Sequence, residues 1–159
     1  MSFKHDDDIR FFLSERNDFI SKDNINIDLI LLGDSITRRY DISRYFPNEY
    51  RILNSGIGGD NIQNMISRLY PDVLNLKPTN VLFMGGINNL RNCLINNNDF
   101  ITCKDELISG YKEIISQCKK SNVNLTMSFI IKNHEPNLNF SVLNNWIDEV
   151  NNEIRDLCL

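Results

Sequence analysis

Apolar residues recur along this chain at two spacings, and their alternation predicts the fold. From Asp6 to about Ile20 they fall at helical intervals, with Ile9, Phe12, Leu13 and Phe19 on one face of an amphipathic helix. Ile27–Leu32 is a continuous apolar run, the pattern of a buried strand, and Arg51–Asn54 predicts a short second one. Ile62, Met65, Ile66 and Leu69 form the next helical stripe, with Asp60 or Asn61 available as its N-cap. Pro71 is expected to kink or restart that helix, and Pro78 to end the segment. Asn80–Met84 predicts the third strand, and Asn92–Cys103, with its Asn96-Asn97-Asn98-Asp99 run, reads as a loop. Lys104–Lys120 predicts a helix that turns Leu107, Ile108, Tyr111, Ile114, Ile115 and Cys118 inward. Asn124–Ile131 is the fourth strand, and Ser141 to about Leu157 a last helix carrying Leu143, Trp146, Ile147, Val150, Ile154 and Leu157 on its stripe.

Strands alternating with helices predict an α/β fold with a parallel sheet and helices on both faces. With no repeat and no linker, residues 1–159 read as a single domain. In such sheets ligands bind at the C-terminal ends of the strands. Three Gly-rich turns fall there: Gly33-Asp34-Ser35-Ile36-Thr37, Asn54-Ser55-Gly56-Ile57-Gly58-Gly59-Asp60 and Gly85-Gly86-Ile87-Asn88-Asn89. Ser35 stands where a strand hands over to a helix, beside backbone N–H groups that can stabilise an anion, which suits a nucleophile. It also admits the plainer role of a helix N-cap.

Composition narrows the field. Hydrophobic residues make up 42% and charged residues 24%, as in a globular protein. A net charge of −4 points away from nucleic acid. No apolar run reaches the ~18 residues of a membrane span, and Met1–Asp8 is polar and acidic, unlike a secretory signal. Cys93, Cys103, Cys118 and Cys158 form no C-x-x-C pair, which gives no support for a zinc site; Cys118 reads as core, and reduced thiols in a cytoplasmic setting are the simplest expectation. With 24 Asn in the chain, an Asn in a turn carries little weight by itself.

Taken in order, the three turns resemble the SGNH (GDSL-type) hydrolase family of esterases and lipases: Gly-Asp-Ser-Ile-Thr matches its first block, Gly-Ile-Gly-Gly-Asp its second and Gly-Ile-Asn-Asn its third. The resemblance runs from about Ile27 to the C-terminus. It implies a three-layer flavodoxin-like sandwich with strand order 2-1-3-4-5, of which this chain would supply 2-1-3-4 and end before the fifth strand, leaving strand four as an open edge able to pair with a second copy. It implies Ser35 as nucleophile, with the oxyanion held by the Ser35 N–H, the Gly59 N–H and the Asn88 side chain. Asp34 and Asp60 would support their turns, as Gly86 would the third. Asn89 stands where the family more often has Asp. The alternatives for Gly59 and Asn88 are ordinary turn residues, and Arg38, Arg39 and Tyr40 read either as contacts to an anionic or sugar-like substrate or as a solvated face. The implied substrate is a small-molecule ester, an acylated sugar or short acyl ester, with no metal or organic cofactor.

The family's last block, Asp-x-x-His, is not in the sequence. Only two histidines exist: His5 in the N-terminal tail, and His134, which follows the fourth strand and is the one topological candidate for a substitute base. A chain without that block is expected to hydrolyse esters weakly or not at all. A non-catalytic acyl- or glycan-binding protein on the same fold is the alternative. A flavin- or nucleotide-binding domain is a third reading, weakened because Asp34 would repel a phosphate and no G-x-G-x-x-G opens a helix after the first strand.

Overall fold

A computed structural model describes residues 6–132 and 140–158. In chain order the elements are α1 (Asp6–Lys22), β1 (Leu29–Gly33), α2 (Ser35–Arg38), α3 (Ile42–Tyr45), β2 (Ile52–Gly56) and α4 (Ile62–Asp72). After a 3₁₀ turn at Leu74–Leu76 come β3 (Asn80–Met84), α5 (Ile87–Ile95), α6 (Phe100–Lys120), β4 (Asn124–Met127) and α7 (Phe140–Asp156). The four strands form one parallel sheet in the expected order β2-β1-β3-β4.

Strand alternation divides the sheet into two unequal faces. Ile30, Leu32, Val81 and Phe83 are fully buried in a core cluster with Ile62, Met65 and Leu69 of α4, Leu107 and Tyr111 of α6, and Leu143 and Ile147 of α7. The Phe83 and Tyr111 rings lie 5.0 Å apart. On the other face, Leu82 and Met84 are only half-buried. Short α2 packs against β1 and β2, and a cleft of about 450 Å³ lies between Leu29, Ile52 and Leu82 and the rings of Phe46 and Tyr50.

Several local expectations are corrected. The buried stripe of α1 is Ile9, Leu13, Asn17 and Ile20, whereas Phe12 and Phe19 are 40% and 61% exposed. Residues 92–103 are not a loop. Gly86 starts α5, Asp99 caps α6 by accepting from the Thr102 N–H at 2.8 Å, and only Asn96–Asp99 connects them. Asn61, not Asp60, caps α4, accepting from the Asn64 N–H at 2.9 Å. Pro71 lies within the last turn of α4, and the helix breaks two residues later at Val73. The fourth strand stops at Met127, four residues short of Ile131. Cys93 and Cys103 are joined as a disulfide, their Cα atoms 6.4 Å apart, so these two are not the reduced thiols expected. Cys118 is buried in the core, where burial pushes its thiol up to about 11.

Candidate active site

The first turn is fixed by Asp34. Its Oδ1 accepts from the Ile36 N–H at 2.9 Å, so Asp34 is the N-cap of α2 and Ser35 the first helical residue. The N–H of Ser35 is therefore one of the donors that a helix start leaves without an intrahelical partner. Ser35 is half-buried, and among the described residues nothing hydrogen-bonds its hydroxyl. Asp34 is 1% exposed, and its Oδ2 has no partner among the described residues. Burial raises its pKa above the ordinary carboxylate value; the Ile36 N–H opposes that shift, and the charge of Asp60 adds to it.

The second turn leaves the sheet beside the first, because Gly33 and Gly56 are register partners and the Ile57 N–H donates to the Gly33 carbonyl at 3.0 Å. Gly59 has φ +75°, and a Cβ there would meet nothing within 4 Å. Glycine is required by the backbone conformation, and the missing side chain leaves open space in front of the peptide. The third turn follows β3, whose Met84 is register partner to Gly33 on the other side. Tyr111 donates to the Gly85 carbonyl at 2.7 Å, and Gly86, at φ +110°, starts α5.

Two asparagines stitch the third turn to the second. Asn88 Nδ2 donates to the Asp60 carbonyl at 2.9 Å, which uses one of its two N–H groups. Asn89 Oδ1 accepts from the Ile62 N–H at 2.9 Å, and its Nδ2 donates to Gln63 Oε1 at 3.1 Å. An Asp at position 89 could accept the first bond but has no donor for the second.

Behind the turns lies a polar hub that the sequence reading missed. Asp60 is fully buried between two guanidinium groups, Arg10 at 2.7 Å and Arg68 at 2.6 Å. Asp60 thus braces its turn rather than capping a helix. Arg68, itself buried, also donates to the carbonyls of Ser55 at 2.8 Å and Gly33 at 3.0 Å, and to Asp72 at 3.1 Å. Asn17 donates to the other oxygen of Asp72 at 3.0 Å. Arg16 reaches the Asn54 carbonyl and the Ser55 hydroxyl at 2.9 and 3.0 Å. The one local signal was the spacing of Arg68 and Asp72, four residues apart on an otherwise apolar face.

Beside the first turn, Leu31, Ile36, Tyr40, Leu82 and Met84 line an apolar pocket of about 180 Å³. His134 and His5 lie outside the described residues. Among the described residues no group of three or more His, Cys, Asp or Glu is arranged to hold a metal, and no helix is long and apolar enough to cross a membrane.

Residues 31–159 match the model of the GDSL-like lipase/acylhydrolase family. Among solved structures, an acetyl xylan esterase, AlAXEase, superposes with a TM-score of 0.64 at 23% identity, over 82% of this chain and 72% of that one. A GDSL-like lipase from Bacteroides thetaiotaomicron VPI-5482 gives 0.71 at 15% identity, over 91% and 72%. A catalytic mutant of an acetylxylan esterase from Geobacillus stearothermophilus gives 0.62 at 20%, over 84% and 73%. At these identities the likeness is one of fold. No curated protein matches the sequence.

Proposed function

This chain belongs to the GDSL-like lipase/acylhydrolase family, and from that membership we propose that it is a serine ester hydrolase working through an acyl-enzyme on Ser35. The Ser35 oxygen attacks the ester carbonyl carbon as its proton passes to a base, and the carbonyl electron pair moves onto oxygen. The Ser35 N–H, the Gly59 N–H and the free N–H of Asn88 Nδ2 hold that oxyanion. Collapse expels the alcohol and leaves the acyl group on Ser35; water then releases the acid and restores the hydroxyl.

The observation that carries this reading is the bond from Asn88 Nδ2 to the Asp60 carbonyl. It sets the third turn against the second and orients an amide whose other N–H is left for an oxyanion. The pocket of about 180 Å³ that starts at Ile36, the neighbour of Ser35, supports a short acyl group. Acetylated sugars are the substrates that the acetylxylan esterases of similar fold suggest. No base is assigned among the described residues. The sequence has no Asp-x-x-His block, and His134 is the only histidine after β4. Turnover by these residues is therefore slow, carried by oxyanion stabilisation and binding, which in a serine hydrolase stripped of its triad still give about 10³–10⁴-fold over water.

Intact-mass analysis during 4-nitrophenyl acetate hydrolysis tests the proposal. One acetyl adduct on the chain, absent from Ser35→Ala, is expected. Equal rates in the two proteins, with no adduct in either, would sink it. One observation favours the non-catalytic acyl- or glycan-binding alternative: none of the described residues hydrogen-bonds the Ser35 hydroxyl. Saturable binding of an acetylated xylo-oligosaccharide with no acetyl transfer would establish that alternative.

A further inference from the structure

We infer that Arg68 is a positioning residue that fixes the spacing between the nucleophile turn and the oxyanion turn. The inference rests on the reading of Ser35, Gly59 and Asn88 as the reacting constellation.

Arg68 sits on the buried stripe of α4 among Met65 and Leu69, where an aliphatic side chain would serve packing as well. A buried ion pair is weak grounds for stability, since well-packed apolar residues often replace it at no loss. What the guanidinium adds is geometry. Four of its five N–H groups, held in one plane, engage two backbone carbonyls and two side-chain carboxylates. One goes to the Gly33 carbonyl, two residues before Ser35, and one to the Ser55 carbonyl at the end of β2. Nε–H goes to the Asp60 carboxylate, one residue after Gly59, and a fourth N–H to Asp72, which anchors the fork to its own helix. The Asp60 peptide carbonyl in turn holds Asn88. Ser35 and Gly59 thus lie within two residues of one that Arg68 grips, and Asn88 is hydrogen-bonded to the backbone of Asp60, whose side chain Arg68 holds. The fork acts from behind the turns and does not touch a substrate. Arg10 holds the second oxygen of Asp60 from α1, so the carboxylate cannot rotate away from Arg68 without losing a second cation.

Arg68→Met keeps the length of the stem and removes the fork; Arg68→Lys keeps the charge at a single point. Segment-resolved amide hydrogen exchange and Ser35 acetylation by 4-nitrophenyl acetate are read on both. In Arg68→Met, residues 56–62 should exchange about tenfold faster while β3 and α6 keep wild-type protection. Ser35 acetylation at saturating ester should fall about 100-fold with little change in half-saturation, and Arg68→Lys should recover part of both. Unchanged exchange at 56–62, or acceleration spread evenly over β3 and α6, would overturn the inference. Should Arg68→Met fail to fold, Arg68→Lys carries the same two readouts. If the wild-type chain never acetylates at Ser35, the hydrolase reading falls and the exchange pattern still decides for or against Arg68. Equal acetylation in wild type and Arg68→Met removes Arg68 alone.

Discussion

Replacing Asp34 with Asn should stabilise the protein at neutral pH. Asp34 does one favourable thing and one costly thing. Its Oδ1 caps α2 through the Ile36 N–H, and its Oδ2 is buried without a partner among the described residues. Asn keeps an acceptor for the cap, worth about 1 kcal/mol, and removes a buried charge whose unmatched oxygen costs roughly 1–3 kcal/mol. The net gain is on the order of 1 kcal/mol, or roughly 2–4 °C in Tm for a chain of this size. The pH dependence follows from the raised pKa. The native state holds the Asp34 proton at pH values where the unfolded chain has released it, so wild-type stability falls as pH rises from the unfolded value through the native one. The advantage of Asp34→Asn should therefore be small near pH 4 and larger at pH 7.5. Asp34→Ala loses the cap as well and should melt below Asp34→Asn throughout. Thermal unfolding of the three proteins at both pH values is the assay. An Asp34→Asn protein that melts lower than wild type at pH 7.5 would refute the reasoning, because the negative charge on Oδ2 would then have a stabilising partner.

Other consequences can be checked as directly. Asn88→Ala removes a proposed oxyanion donor and the tether to Asp60, so Ser35 acetylation should slow by about 10²–10³-fold; wild-type kinetics would remove Asn88 from the site. Gly56→Ala and Gly59→Ala should differ in kind. A Cβ at Gly56 would strike the backbone of Thr37 and Arg38, costing roughly 3 kcal/mol, whereas at Gly59 the cost is the positive φ alone, roughly 1–2 kcal/mol. The reverse order in denaturant titrations would contradict the packing of α2 on β2. Reducing Cys93–Cys103, which are ten residues apart, should lower Tm by roughly 5–10 °C; an unchanged Tm with both thiols titrated would show that the bond does not constrain the chain.

The central strands were legible because β1 and β3 are short apolar runs that lead into glycine and are flanked on both sides. The order of the strands came from the resemblance, since periodicity is silent on which strands pair. Helix α5 was hidden because its stripe, Ile87, Leu90 and Cys93, starts inside a Gly-rich turn and runs into three consecutive asparagines. On α1 the large rings drew the eye to the wrong face. Phe12 and Phe19 are largely exposed, while polar Asn17 is buried because it serves Asp72. The turn residues Ser35, Gly59 and Asn88 could be picked from motif and position. The hub could not, because its bonds join residues 35 and 50 positions apart and leave almost no local pattern.

The hub also bears on how the chain emerges from the ribosome. Among the described residues, the partners of Arg68, and those of Arg10 and Arg16, lie at or before Asp72. A nascent chain extended through α4 therefore already contains the parallel pair β1–β2, the helix that packs behind it and every charge that closes it. Asn88 and Asn89 arrive afterwards and dock onto a turn set without them. Vectorial synthesis can thus set the Ser35 and Gly59 turns first and add Asn88 and Asn89 as a second step.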